Sequence, residues 1–150
     1  VETKTNELGG TTDYTIDEDI KTAVVEYYKG LANVSDTMFK NYKISEDMLK
    51  MALDSDSDLM VVSIRQPSAY SEQHIKGAIN IPWGEDMHEY FGQLPEDKKL
   101  AVYCYTGQTA GQTVAGLRML GYDAVSLNGG MGTPSNEPYG WSNQGYETVQ

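Results

Sequence analysis

Cysteine and histidine are scarce in this chain of 150 residues. It has one cysteine, Cys104, and two histidines, His74 and His88. A single cysteine excludes an intrachain disulfide, and a structural zinc site would have to combine the two histidines with carboxylates. We therefore expect no disulfide framework and no metal site.

Basic residues and long apolar runs are also few. The chain has 11 lysines and arginines against 22 aspartates and glutamates, a formal net charge of −11. This charge repels nucleic acids and anionic membrane surfaces, so neither is an expected partner. The longest apolar runs, Leu59–Ile64 and Leu100–Tyr105, are too short to cross a bilayer, so we expect no membrane insertion.

The first part of the chain differs in composition from the rest. Val1–Tyr14 is polar and contains glycine, which predicts a flexible leader. Thr15 is the expected cap of a helix that has Asp17, Glu18 and Asp19 in its first turn and ends near Asn33. We therefore assign residues 1–43 to a leader with a helical extension, and residues 44–150 to one main domain.

Helical and strand patterns alternate in the main domain, after a helix capped by Ser45. The predicted strands are Leu59–Ile64, Ala78–Pro82, Leu100–Cys104 and Ala124–Leu127. The predicted helices between them are Pro67–Gln73, Glu85–Phe91 and Thr109–Leu120. Such alternation predicts an α/β fold of three layers, with a central parallel sheet flanked by helices.

The end of the Leu100–Cys104 strand is the strongest candidate for a reactive site. Ligands of open parallel sheets bind at the carboxyl ends of the strands, where Cys104 is expected. The loop that follows consists of Tyr105, Thr106, Gly107, Gln108, Thr109 and Ala110 and opens into a helix. Gly107 permits a positive φ, so successive amides can turn inward and bind an anion together with the helix start. We predict a thiol of lowered pKa there.

The charges near this loop in the sequence favour the same interpretation. No acidic residue lies between Asp97 and Asp123, whereas Lys98, Lys99 and Arg118 are basic. We therefore expect positive charge around the thiol.

Several stretches resemble one known family. The sequence Cys-Tyr-Thr-Gly-Gln-Thr at 104–109 resembles the active-site loop of rhodanese-family sulfurtransferases, and His74–Pro82 is similar to a second signature. Ile64-Arg65 occupies the place of the family's Asp-Val-Arg box, and Leu120–Met131 resembles its C-terminal portion. The resemblance implies a single rhodanese-like domain at 44–150 and a cysteine that carries sulfur as a persulfide.

The chain departs from the family pattern near Arg65. Ser63 stands where the family usually has aspartate, so an ion pair with Arg65 is absent or replaced. Arg65 then either steers anions or has a structural role, with structure the preferred interpretation. Tyr105 and Thr109 replace basic residues of the loop, so recognition of an anionic donor falls to backbone amides and the helix dipole. For His74 the resemblance implies a structural hydrogen bond rather than general-base catalysis.

The function implied by the resemblance is sulfur transfer. Cys104 would take a sulfane sulfur from thiosulfate or a related donor, the loop amides and the hydroxyls of Thr106 and Thr109 would hold the persulfide, and cyanide or a thiol would accept the sulfur. Neither metal nor organic cofactor is needed, and we expect a monomer.

One alternative is a non-catalytic rhodanese-like binding or redox-sensing module. A less favoured one is a cysteine phosphatase or arsenate reductase, whose loop would place arginine at Ala110.

The compartment is predicted from the N-terminal region. The chain starts at Val1 without methionine, and an acidic, tyrosine-containing helix ahead of the core resembles exported bacterial members of the family. We expect an extracytoplasmic protein whose signal has been removed, with the cytoplasm as the alternative.

Overall fold

The computed structural model describes residues 17–150, and these residues form an α/β fold around one parallel sheet. The strands are β1 Lys43–Ile44, β2 Leu59–Ser63, β3 Ile79–Asn80, β4 Lys99–Tyr103 and β5 Ala124–Leu127. Their order across the sheet is β1-β5-β4-β2-β3, and every pairing is parallel. The predicted fold class is therefore confirmed. The predicted leader Val1–Tyr14 and the predicted cap Thr15 lie outside the described residues.

The described residues form four α-helices, which lie in layers on the two sides of the sheet. They are α1 Glu18–Asn33, α2 Glu46–Asp54, α3 Pro67–Glu72 and α4 Gln108–Met119. Short 3₁₀ segments cover Lys40–Tyr42, Met87–Gln93 and Pro134–Asn136. Within the described residues, no helix is long and apolar enough to cross a membrane.

The helix starts follow from local capping. The carboxylate of Asp17 accepts hydrogen bonds from the amides of Asp19 and Ile20, so Asp17 caps α1 rather than lying in its first turn. The Ser45 hydroxyl accepts from the Met48 amide at 3.2 Å and caps α2, as predicted. Pro67 is the first residue of α3, where its missing N–H and fixed φ cost nothing.

Alternate residues of the central strands fill two separate cores. Val62 and Val102 face the layer formed by α1 and α4, whereas Val61 and Tyr103 face the layer formed by α2 and α3. This alternation follows from the period of two in a strand, and it gives the three layers. Cys104 belongs to the core on the α4 side.

The N-terminal helix is docked on the α4 layer. Tyr27 and Leu31 of α1 pack against the core, and the Tyr42 hydroxyl donates to the carbonyl of Tyr27. The guanidinium of Arg118 lies 3.7 Å from the centre of the Tyr42 ring. The helical extension is therefore joined to the sheet layer through α4.

One strand was not predicted, and two predicted elements differ in extent or type. The two-residue strand β1 spans the predicted boundary between the helical extension and the main domain, and the predicted helix Glu85–Phe91 is instead a 3₁₀ segment at Met87–Gln93. The strand predicted at Ala78–Pro82 pairs only at Ile79–Asn80. These short elements depend on a neighbouring strand or on packing, which local sequence does not encode.

A matched pair of leucines in α4 tests the assigned packing. Leu117 is 1% exposed, so Leu117→Ala should lower the free energy of unfolding by about 2–5 kcal/mol through lost burial and a cavity. Leu120 directly after the helix is 64% exposed, and Leu120→Ala should change it by less than about 0.5 kcal/mol. Urea unfolding measures both values, and equal losses would contradict the packing described here.

Candidate active site

The single cysteine lies at the carboxyl edge of the sheet, beside the start of a helix. Strand β4 ends at Tyr103, so Cys104 is the first residue beyond the strand rather than its last. Cys104 is 2% exposed, and its Sγ accepts a hydrogen bond from the Gly107 amide at 3.0 Å. The thiol is therefore buried at the point where the loop turns into α4.

Two opposing influences set the acidity of this thiol. Burial is the largest single influence and by itself raises the pKa of Cys104. The Thr109 hydroxyl and the amides of Ala110, Gly107 and Thr106 stabilise the thiolate, and together they bring the pKa below its ordinary value. Hydrogen-bond donors therefore account for the lowered pKa, and the reactivity of the thiol stays a prediction.

The sulfur occupies the place of a helix cap. Gly107 is the N-cap of α4 with φ of +107°, and it has no side chain to accept from the first amides of the helix. The Cys104 sulfur, three residues upstream, accepts from the Gly107 amide, and the Ala110 amide in the first turn of α4 also stabilises the thiolate. Negative charge on sulfur is favoured at this end of the helix, where unpaired N–H groups and the positive end of the dipole meet.

The remaining loop residues have different roles. Thr106 stabilises the thiolate through its amide, and the contact of its hydroxyl with a persulfide stays a prediction. Gln108 is exposed at the start of α4, and Ala110 is fully buried. Tyr105 is 40% exposed, and its hydroxyl accepts a hydrogen bond from the Gln66 amide at 3.2 Å.

Arg65 lies beneath the active-site loop. It is 6% exposed, its Nη1 donates to the carbonyl of Gln73 at 2.8 Å, and its guanidinium carbon lies 5.2 Å from the centre of the Tyr105 ring. Its Nε has no hydrogen-bond partner among the described residues. These contacts give Arg65 a structural role under Tyr105, and anion steering by this residue stays a prediction.

The expectation that Lys98, Lys99 and Arg118 surround the thiol is wrong. Lys98 forms an ion pair with Asp58, and both Lys99 and Arg118 form ion pairs with Asp123. Asp58 precedes β2 and Asp123 precedes β5, so these pairs lie at the amino edge of the parallel sheet, opposite Cys104. Lys98 and Lys99 lie at the start of β4, and Arg118 lies at the end of α4. The full length of each element therefore separates these basic groups from the loop.

A glycine-rich segment after β5 supports the loop, a role that was not predicted from the sequence. The amide of Met131 donates to the carbonyl of Cys104 at 2.8 Å, and that of Gly132 donates to Tyr105 at 2.9 Å. A Cβ on Gly130 would lie 2.6 Å from the Cys104 oxygen. Glycine is therefore required at position 130. The glycines at 129, 130 and 132 were the feature of the sequence that could have indicated this supporting role.

A buried carboxylate holds this segment from the other side. Glu46 is 6% exposed and accepts a hydrogen bond from the Gly140 amide at 2.9 Å. Gly140 in turn packs directly on Gly129 and Gly132. The start of α2 is thus connected to the backbone that supports Cys104.

Neither histidine is among the described hydrogen-bond partners of the Cys104 sulfur. The His74 ring stacks on the Tyr70 ring, with 3.8 Å between ring centres, and its Nδ1 lies 2.8 Å from the Tyr70 carbonyl oxygen. The backbone of His74 pairs with that of Val149. This is the structural hydrogen bonding that the resemblance implied. His88 lies against the carbonyl of Glu85. Among the described residues, no group of three His, Cys, Asp or Glu side chains is placed to hold a metal ion.

Comparison with known proteins identifies the family. The family model of the rhodanese-like domain matches residues 45–133, more than half of the chain. The chain belongs to the rhodanese-like domain family. A rhodanese-related protein from Thermoplasma volcanium has a crystal structure similar to this rhodanese-like domain, with a TM-score of 0.61, 29% identity, and coverage of 71% of this chain and 96% of that one.

Two curated relatives match this chain over different shares of their own length. The thiosulfate sulfurtransferase PspE of Escherichia coli is 34% identical over 71 residues, which cover 47% of this chain and 68% of that protein. The probable adenylyltransferase/sulfurtransferase MoeZ of Mycobacterium tuberculosis is 31% identical over 115 residues, or 73% of this chain. The match spans only 29% of MoeZ, so what the whole of that protein does is not carried over.

A threonine pair in α4 tests what activates the thiol. Because the Thr109 hydroxyl stabilises the thiolate, Thr109→Val should raise the pKa of Cys104. In the wild type, the rate of alkylation by iodoacetamide should reach half its maximum below about pH 8.5, the value for free cysteine. Thr113→Val is the control, since that hydroxyl donates to the Thr109 carbonyl. A wild-type midpoint at or above the free-cysteine value would refute the activated thiol.

A glycine pair tests the support under the loop. Gly130 has φ of +61° and its Cβ would collide with the Cys104 carbonyl, so Gly130→Ala should destabilise the fold by more than about 1 kcal/mol and raise the thiol pKa. Gly116 in α4 has open space around it, and Gly116→Ala should stabilise the fold by roughly 0.5–1 kcal/mol. Denaturant unfolding and alkylation profiles measure both, and a Gly130 variant with an unchanged thiol pKa would disprove the supporting role.

Proposed function

We propose that the protein is a sulfurtransferase that moves a sulfane sulfur from thiosulfate, or a related donor, to a thiophilic acceptor. The observation that carries the proposal is the Cys104 sulfur at the start of α4, with the Gly107 amide at 3.0 Å and a lowered pKa. Family membership and the named activity of relatives such as PspE support it.

The first half of the reaction forms a persulfide. The Cys104 thiolate attacks the outer sulfur of thiosulfate, a new S–S bond forms, and the S–S bond of thiosulfate breaks. Its electron pair leaves with sulfite. The negative charge then rests on the terminal sulfur, close to the amides of Thr106, Gly107 and Ala110. Preorganised donors of this kind stabilise developing charge without reorganisation.

The second half returns the enzyme to its starting state. Cyanide or the thiolate of an acceptor attacks the terminal sulfur, and Cys104 leaves as a thiolate. A low thiol pKa helps this step, because a stable thiolate is a good leaving group. The two displacements need no oxidant, no metal and no organic cofactor.

Phosphoryl transfer fits this loop poorly. A phosphate ester needs a guanidinium that grips its equatorial oxygens. Ala110 stands where such an arginine would be, and the buried Arg65 already donates to the carbonyl of Gln73. A non-catalytic binding module is also disfavoured, because a module that only binds has no need of an activated cysteine.

Thiosulfate turnover tests the proposal. With thiosulfate and cyanide the wild type should form thiocyanate, and Cys104→Ser should form none, because a hydroxyl cannot form a persulfide. Thiosulfate alone should add the mass of one sulfur atom to the protein, and cyanide should remove it. Thiocyanate formation by the serine variant, or hydrolysis of aryl phosphates without sulfur transfer, would overturn the mechanism. The monomeric state and the extracytoplasmic location stay predictions.

A further inference from the structure

A buried cation without a carboxylate partner lies under the active-site loop. Arg65 is 6% exposed, its Nη1 donates to the carbonyl of Gln73, and its Nε has no partner among the described residues. Its backbone is fixed as well, because its amide donates to the Ser63 hydroxyl at 3.3 Å and its carbonyl accepts from the Asn80 side chain at 2.9 Å. None of the ion pairs in the described part of the chain includes Arg65. The guanidinium is therefore held in place without a counterion.

The ring of Tyr105 contacts this cation. The guanidinium carbon lies 5.2 Å from the ring centre, and the Tyr105 hydroxyl accepts from the Gln66 amide at 3.2 Å. The negative face of an aromatic ring attracts a guanidinium, and the attraction is stronger when the cation is desolvated. Gln66 directly follows Arg65, so both contacts come from one two-residue segment beyond β2. The Tyr105 side chain is therefore fixed to this segment, although 40% of it is exposed.

Tyr105 also begins a peptide group that serves the sulfur. Its carbonyl and the amide of Thr106 belong to one planar trans peptide, so the C=O and the N–H point in opposite directions. The Gly132 amide donates to that carbonyl at 2.9 Å, and the Thr106 amide is one of the donors that stabilise the Cys104 thiolate. The side-chain contacts of Tyr105 fix one end of the peptide group, and Gly132 fixes its oxygen. Together they determine the direction of the Thr106 N–H.

These contacts assign a role to a side chain that the mechanism above does not use. We propose that Tyr105 is a positioning residue, which through its contacts with Arg65 and Gln66 orients the loop amides toward the reactive sulfur. Arg65 is not among the largest influences on the pKa of Cys104, so its charge acts through the Tyr105 ring. The inference rests on the proposed function only for its kinetic readout, because the acidity of the thiol is measured without substrate.

Two substitutions of Tyr105 test the inference by alkylation with iodoacetamide. Tyr105→Leu removes the ring and the hydroxyl, and it should raise the pH midpoint of alkylation by about 0.5–1 unit, the scale of a contact with a desolvated cation. Tyr105→Phe keeps the ring on Arg65 and should restore most of the wild-type midpoint. Tyr90→Leu is the matched control, because Tyr90 is 48% exposed and its hydroxyl forms no hydrogen bond within the described residues. It should leave the midpoint unchanged.

A double-mutant cycle tests whether Arg65 acts through the ring. Arg65→Met replaces the guanidinium with an apolar side chain, and it should raise the alkylation midpoint of the wild type. In the Tyr105→Leu background the same change should have less than half of that effect, because residues that act as one unit are not additive. A direct effect of the Arg65 charge on the sulfur would instead persist undiminished. The cycle therefore separates positioning from electrostatics.

Turnover and unfolding give the remaining readouts. Tyr105→Leu should lower kcat/KM for thiosulfate about tenfold, because misplaced groups slow a reaction steeply. Its urea midpoint should stay near that of the wild type, since the side chain is half-exposed.

Three results would overturn the inference: an unchanged alkylation midpoint in Tyr105→Leu, an equal rise in Tyr90→Leu, or an undiminished effect of Arg65→Met in the cycle. If Arg65→Met does not fold, the comparison of the Leu and Phe variants of Tyr105 with Tyr90→Leu decides the matter. Absence of thiosulfate turnover in the wild type would refute the proposed function and leave the alkylation result standing.

Discussion

The contact between the Cys104 sulfur and the first amides of α4 is the interaction on which the site depends. Gly107 begins the helix without a side chain to cap it, and the sulfur accepts its amide hydrogen at 3.0 Å. One contact therefore serves both the fold and the chemistry. The thiolate satisfies donors that the helix leaves unpaired, and those donors lower the pKa that burial alone would raise.

This contact is maintained by backbone that is distant in sequence. The amides of Met131 and Gly132 hold the carbonyls of Cys104 and Tyr105, which leaves the loop's own amides pointing toward the sulfur. Gly140 packs against this segment and is held by the buried carboxylate of Glu46. The start of α2, the end of β5 and the Gly140 region thus meet behind the loop. The reactive geometry is a property of these packed backbones, and the six loop residues alone do not determine it.

The parts of the structure that sequence predicted are those with a local physical cause. Ser45 caps α2 and Pro67 starts α3 because capping and a fixed φ act within a few residues. The prediction of a reactive thiol between the end of a strand and a glycine-containing loop also depended only on neighbouring residues. Strand β1 was missed because two residues become a strand only by pairing with β5. The placement of Lys99 was misjudged because a strand carries neighbouring residues of the sequence to opposite edges of the sheet.

The charge distribution determines how this acidic protein would bind the anionic donor proposed above. The net charge is −11, and Lys98 and Lys99, which are near the loop only in sequence, form ion pairs at the opposite edge of the sheet. These lysines therefore give a dianion no long-range attraction to the loop. Stabilisation of the thiolate comes from N–H and O–H donors within hydrogen-bond distance, where a low local dielectric strengthens them and salt screens them little. Recognition of the proposed donor would therefore depend on short-range contacts, and the net charge would act mainly on the rate of encounter.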